Sequence, residues 1–324
     1  MKIKIKPLAF ESLGVRSMCT FIETPDVNIT IDPGVSLGKR FGLLPHPREY
    51  EALIDARSKV LKHAEKSEIL IISHYHFDHY TPLGYTDYTW TWSITGETEE
   101  IYIDKVLLVK DYRDNINFSQ RKRGWIFNRL VEGLARKIEI ADSKTFEIGE
   151  TRIEFSSPVW HGEANTPLGW VLMILIEHDE DKLIFASDVQ GPMESEALNF
   201  ILKSNPKILI IGGPPTYLPQ YKIKTNSIKS AIKNLEIIVK QVPLVILDHH
   251  LLRDAEWRKY VEKIFEIANK YENKVITAAE YLAKKNILFE SIRRRLYDNE
   301  PPNKEFINWT KLPKDKRRVT PPPI

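Results

Sequence analysis

"EILIISHYHFDHYTP", residues 68–82, sets three histidines and an aspartate, His74, His76, Asp78 and His79, within six positions directly after an aliphatic run. That run is apolar at every position from Ile69 to Ile72, the signature of a strand buried on both faces. His74 and His76 are two apart, so at the end of an extended segment both rings can point the same way. Asp78 and His79 can face the same space as the chain turns toward Tyr80–Pro82. Imidazoles and carboxylates are ligands of first-row metals and suit zinc or iron better than magnesium or calcium. A chance polar turn is the plain alternative, but packing rarely gathers four such groups, because buried imidazoles need partners. One turn cannot complete a cage. Further ligands are therefore expected where other buried strands run out.

The later sequence supplies them. His161 follows "SSPVW", Asp188 ends "KLIFASD", and His249 and His250 follow "LVILD". Period-2 runs "KIKIKPLAF", "SMCTFIE" and "NITID" open the chain as antiparallel strands, and residues 47–66 place Tyr50, Leu53, Ile54, Val60, Leu61 and Ala64 at helical spacing. Residues 83–118 break this rhythm with Tyr85, Tyr88, Trp90, Trp92 and Tyr102 before "KVLLVK" restores a strand, and are expected to form an inserted aromatic and basic lid. A helix is expected over residues 119–140, capped at Ser119, with Ile126, Leu130 and Leu134 as its buried face. The second half repeats the plan: two hairpins, then the strands "KILIIGG", "LVILD" and "KVITA" separated by helices over residues 226–241 and 254–271. Two such halves suggest two sheets packed together with helices outside.

Bulk properties narrow the class. The chain has 324 residues, 42% hydrophobic and 28% charged, a globular composition with ample core material. A net charge of +3 is too small to mark the whole chain as a nucleic-acid or membrane binder. The single cysteine, Cys19, excludes an internal disulfide framework and a cysteine-rich zinc site. The opening "MKIKIKPLAF" carries neither a signal peptide nor a spanning segment, so a cytoplasmic location and no membrane partner are expected. Residues 1–300 read as a single domain. Residues 301–324 form a Pro-rich extension with six Lys or Arg against two acids, expected to be partly disordered or a strap over the body.

The run H-x-H-x-D-H, followed in order by a strand-end histidine, a strand-end aspartate and a final histidine, resembles the metallo-β-lactamase superfamily, nearest to its poorly characterised archaeal members. The likeness spans roughly residues 2–280. It implies an α/β fold, an αββα sandwich of two mixed sheets flanked by helices, and two divalent ions per chain, zinc first, with iron or manganese as alternatives. His74, His76 and His161 would hold one ion and Asp78, His79 and a C-terminal histidine the other, with Asp188 bridging them. Asp78 and Asp188 would thus stand at the chemistry, and Asp32, in "NITIDPG", would orient a ligand histidine from behind. Adjacent strand residues point to opposite faces, so only one of His249 and His250 is expected to be a ligand. "LDHHLLRD" resembles the RNase Z branch, which favours His249 and makes Arg253 a substrate contact; a looser match to other branches favours His250. Tyr217, in the rim loop 210–221, is the other candidate substrate contact.

Two ions a few ångströms apart lower the pKa of a shared water from 15.7 to about 7. The resemblance therefore implies a dinuclear metal-dependent hydrolase acting through a bridging hydroxide. Fold and ligands do not choose its substrate. Rings beside guanidinium groups in "KDYRDN" and "RKRGW" suit stacked bases and phosphates, so a phosphodiester, either nucleic acid or a small nucleotide, is the leading expectation. An ester, thioester or lactone hydrolase comes second, and a non-catalytic metal-binding scaffold third. A homo-oligomer is compatible with all three.

Overall fold

Side chains on the central strands alternate between two interiors, and this alternation builds the layers. The computed structural model describes residues 2–218 and 222–324. One sheet has six strands in chain order: β1 (Lys4–Phe10), β2 (Met18–Glu23), β3 (Asn28–Ile31), β4 (Ile69–Ile72), β5 (Val106–Val109) and β6 (Lys137–Ile140). β1, β2 and β3 pair antiparallel, and β3 to β6 run parallel. The second half contributes β7 (Thr145–Ile148), β8 (Thr151–Phe155), the short ribbon β9 (Val159–Trp160) and β10 (Trp170–Val171), then β11 (Ile174–His178), β12 (Asp181–Phe185), β13 (Ile208–Gly212), β14 (Leu244–Asp248) and β15 (Lys274–Ile276). Its sheet has seven strands in the order β15-β14-β13-β12-β11-β8-β7, parallel from β12 to β15 and antiparallel beyond. Both sheets are mixed, as expected.

Ile69 and Ile71 of β4 meet Ile208 and Ile210 of β13 in the interior shared by the two sheets. Leu70 and Ile72 face the other way, onto helices α1 (Pro47–Lys66) and α2 (Phe118–Val131). Leu209 and Ile211 likewise face α3 (Ser195–Ser204), α4 (Thr225–Gln241) and α5 (Trp257–Lys270). Four layers result, helix–sheet–sheet–helix, with β4 and β13 buried on both sides as their unbroken apolar runs require. Among the described residues no helix is long and apolar enough to cross a membrane.

Several expectations are corrected in detail. Helix α2 ends at Val131, and "KIEI" forms the edge strand β6, following Gly133 and a return to period-2 alternation. Its cap is Asn117, whose side chain accepts from Gln120 N, and not Ser119. Its buried face is Gln120, Gly124, Phe127 and Val131, whereas Ile126 and Leu130 are exposed. Gly124 explains the rotation: a Cβ there would lie 2.6 Å from Tyr75 and Tyr112 side-chain atoms, so the helix packs most closely on that side. In residues 83–118, β5 is an interior strand of the first sheet, and the aromatic stretch before it is irregular.

The C-terminal residues form α6 (Ala278–Tyr281), α7 (Arg293–Asn299), α8 (Lys304–Thr310) and α9 (Lys314–Val319). Phe306 and Trp309 are buried against Tyr50 of α1, with ring centroids 6.0 and 5.6 Å from it. Arg293 is wholly buried and grips Glu49 with two bonds of 2.6 and 2.7 Å, while Glu49 also accepts from His46 N to cap α1. A second ion pair, Arg16 with Glu290, closes at 2.6 and 2.7 Å. Burial disfavours the Glu290 charge, but Arg16, with Arg253 and Arg293 nearby, outweighs it and holds this carboxyl at about 2.

A folded-state pKa below the unfolded one stabilises at pH above the unfolded value and ceases to do so as pH falls toward the folded value. Urea titrations between pH 6 and 2 should show wild type losing on the order of 3 kcal/mol more than Glu290→Gln as pH drops from about 4.5 toward about 2. Parallel losses in both proteins would remove Glu290 from the account.

Candidate metal centre

Every candidate ligand follows the end of a strand on one rim of the sandwich. His74 lies two residues after β4, Asp32 one after β3, Asp188 three after β12, His161 directly after β9 and His249 directly after β14. The chain bends sharply there: Asp32, Ser187 and His249 have φ of 50°, 52° and 61°, left-handed conformations that cost roughly 1–3 kcal/mol each and are retained where surrounding structure enforces them. Gly34 backs onto the histidine turn so closely that a Cβ would lie 2.6 Å from His79 N.

Two groups of donors converge. His74, His76, His161 and Asp188 place one ligand atom each within 4.8 Å of one another, and Asp78, His79 and His249 do the same. Asp188 spans both: its Oδ2 is 3.0 Å from His161 Nε2, 3.2 Å from His79 Nε2 and 3.8 Å from His74 Nε2, while Oδ1 is 3.2 Å from His249 Nε2. His74 Nε2 and His76 Nδ1 are 3.1 Å apart. Ligands about 2.0–2.1 Å from one tetrahedral ion lie roughly 3.3 Å from each other, so these spacings match the edges of a coordination polyhedron. His79 Nε2, His161 Nε2 and Asp188 Oδ1 are buried without a hydrogen bond. Orphaned atoms of this kind are costly unless a cation accepts them. Divalent metal fits this donor set.

The far side of the rings is held from the protein. His79 Nδ1 donates to Asp32 Oδ2 at 2.7 Å, and His249 Nδ1 donates to Glu11 Oε2 at 2.7 Å. Ser73 Oγ donates to Asp32 Oδ2 at 2.6 Å and lies 3.0 Å from His74 Nδ1. The Gln190 amide meets His161 Nδ1 at 3.3 Å. Such contacts fix the tautomer and aim the opposite nitrogen inward. Gln120 of α2 accepts from Tyr75 N at 2.9 Å, tying that helix to the histidine turn.

Burial, reinforced by neighbouring imidazoles, holds His74 and His76 well below the ordinary histidine value, so both present neutral lone pairs. Burial also opposes the charge on His79 and His249, yet Asp188 with Asp32 raises the first well above its usual value, and Asp188 with Glu11 raises the second to about 9. Asp78 and Asp188 are held well below the carboxylate range despite burial, by His79, His249 and Arg253 around Asp78 and by His249, His79 and His250 around Asp188.

The sequence model of the Metallo-beta-lactamase superfamily matches residues 13–270. The chain belongs to the metallo-beta-lactamase superfamily. Within it, the chain is 41% identical to a UPF0282 protein of Korarchaeum cryptofilum over 95% of this chain and 99% of that one. A UPF0282 protein of Methanopyrus kandleri is 42% identical over 92% of this chain and all of its own length. Among solved structures, the metallo-beta-lactamase fold protein YhfI from Bacillus subtilis aligns with a TM-score of 0.49 at 13% identity, covering 88% of this chain and 97% of its own. Superfamily members are generally metal-dependent hydrolases, and this chain carries the His and Asp clusters of one.

The two adjacent histidines depart from expectation. His250 Nε2 is 3.3 Å from Asp188 Oδ2, so His249 and His250 both reach Asp188. The opposite-face argument fails because β14 ends at Asp248; His249 is left-handed and opens a short helical turn, His249–Arg253. Only His249 also groups with Asp78 and His79. Arg253 is buried and contacts Glu11, and Asp78 at 3.4 Å, behind the donors. Tyr217 lies under the Arg40 guanidinium, 4.1 Å from its ring centroid; Pro219–Tyr221 of the expected rim loop lie outside the described residues.

Sequence reasoning passed over Glu11, which follows β1 with nothing in its surroundings to single it out. Replacing an outer partner of a metal-binding histidine typically lowers affinity about 10–100-fold. Glu11→Gln should therefore weaken the Asp78–His79–His249 group by that factor in a competitive chelator titration, leaving the His74 group at wild-type affinity. Equal affinities at both groups would show that Glu11 does not orient His249.

Proposed function

We propose that this chain cleaves phosphodiesters with two divalent ions, zinc foremost, one held by His74, His76 and His161, the other by Asp78, His79 and His249, and both by Asp188. When bound, the ions supply an activated water and draw charge from phosphoryl oxygens. The observation that carries the reading is the cavity opening on His76 and Asp78, about 390 Å3, whose wall includes four cations: Arg16, Arg123, Lys314 and Arg318.

Arg16 is matched by Glu290 and Arg318 by Asp87. Arg123 spends its donors on Tyr75 O and Ser119 Oγ, neither of them charged, so with Lys314 it leaves net positive charge at the mouth. Phosphate oxygens are the natural complement of such groups. Trp90 and Phe77 supply flat walls beside them. Arg253 keeps Asp78 ionised and Glu11 aims the His249 ring, so the chain's own residues bind the anion and orient the donors.

A second reading, hydrolysis of an ester, thioester or lactone, is favoured by an adjoining apolar cavity of about 450 Å3 that shares Phe77, Arg123 and Arg318 with the mouth. Bis(p-nitrophenyl) phosphate and a lactone and thioester panel, each assayed with zinc, manganese or iron, separate the two. Diester turnover is expected, abolished in Asp188→Asn, with KM raised about tenfold in Lys314→Gln through loss of a charged contact. Turnover of lactones or thioesters alone would reverse the order of the readings.

A further inference from the structure

Helix α2 faces the metal mouth on one side through Arg123 and water on the other. Its outer side, with the preceding loop, forms a cleft of about 380 Å3 lined by three rings, Tyr112, Phe118 and Trp125, and three cations, Arg113, Arg121 and Lys122. No carboxylate lies in that wall. We propose that this cleft binds single-stranded nucleic acid and feeds it across α2 to the metal centre; the feeding step rests on the phosphodiester reading.

Three features carry the inference. Phe118 is 84% exposed and Trp125 52%, two large rings left in water side by side, whereas the other exposed rings among the described residues, Phe41, Tyr260 and Tyr271, are at 39–49%. Folding gains nothing from that exposure. Next, residues 118–131 contain Arg121, Lys122, Arg123 and Arg129 and no acidic residue. Arg121 stands near the positive end of the helix dipole, where a cation is disfavoured, and Lys122 and Arg123 crowd it without an acidic helix neighbour to relieve the repulsion. The charge therefore serves something outside the helix. Lastly, the cleft continues: a second one, about 510 Å3, shares Tyr112 and Arg113 and adds Arg129, Arg136 and Lys137 against one carboxylate, Glu132, which lies 3.9 Å from Arg129.

Rings interleaved with cations are the platform on which bases stack while phosphates are neutralised. A lipid-inserting helix separates an apolar face from a charged one, whereas here rings and cations share one wall. Arg113 is already tied to Asp111 by bonds of 3.0 and 3.1 Å, and Arg121 gives one nitrogen to Arg113 O at 3.0 Å, which leaves its other donors and Lys122 open to phosphate.

The test is fluorescence anisotropy of a labelled 20-nucleotide single-stranded RNA and its DNA counterpart on the metal-loaded full chain at 4 °C, with gel electrophoresis checking that the strand stays intact through each titration. Wild type should bind both. Phe118→Ala with Trp125→Ala should raise Kd at least about tenfold, and Arg121→Gln with Lys122→Gln should reduce the slope of log K on log salt by about 1.4. Thermal melting should leave both variants folded, and both should turn over bis(p-nitrophenyl) phosphate at the wild-type rate. Equal oligonucleotide affinity in wild type and variants, or none in wild type, overturns the proposal whether or not the small diester is cleaved. Ring-dependent binding with no diester turnover upholds the cleft and instead removes the phosphodiesterase reading. Ring-dependent binding to anionic phospholipid vesicles with none to oligonucleotide would overturn it in favour of a membrane surface.

Discussion

A single buried carboxylate, Asp188, is shared by five imidazoles. His74, His79, His161, His249 and His250 all bring a nitrogen within 3.8 Å of it, and it is 1% exposed. Water cannot relieve the crowding, and one carboxylate cannot satisfy so many inward nitrogens. Cations between the rings resolve the conflict, because each orphaned lone pair then gains a partner. The bent backbone at Asp32, Ser187 and His249 and the close approach of Gly34 are conditions for bringing these atoms together.

The supports behind the rings arrive from distant parts of the chain. Asp32 follows β3, Glu11 follows β1, Gln190 comes after Asp188, and Arg253 reaches Glu11 across more than two hundred residues. Asp32 can reach His79 once β3 and β4 pair, but Glu11 meets His249 and Arg253 only when both sheets are in place. Metal affinity and folding are consequently coupled, as they are wherever donors are assembled by tertiary structure. Glu49 and Arg293 repeat the pattern away from the centre, with a fully buried pair joining the start of α1 to the C-terminal helices.

Much of this was legible in the sequence because the chemistry is local there. The four donors of residues 74–79 sit in one turn, and His161 and Asp188 stand at the ends of apolar runs, where a sheet delivers side chains to its rim. The layered fold was legible for a related reason, since runs such as Ile69–Ile72 are apolar at every position only when both faces are covered. What escaped depended on long-range geometry. Glu11 has no periodic or compositional mark, its partner being 238 positions away. The shared approach of His249 and His250 hinges on one left-handed φ, and the rotated face of α2 hinges on the absent side chain of Gly124, neither of which hydrophobic periodicity encodes.

The tail has a different kind of significance. Every residue proposed to hold the ions precedes Arg253, whereas Lys314 and Arg318, two of the four cations at the mouth, belong to the last dozen positions, beyond the buried Phe306 and Trp309. Half of the mouth's cations thus ride on a segment that contributes nothing to the donor set, so the tail can change its charge while the residues of the metal centre stay as they are.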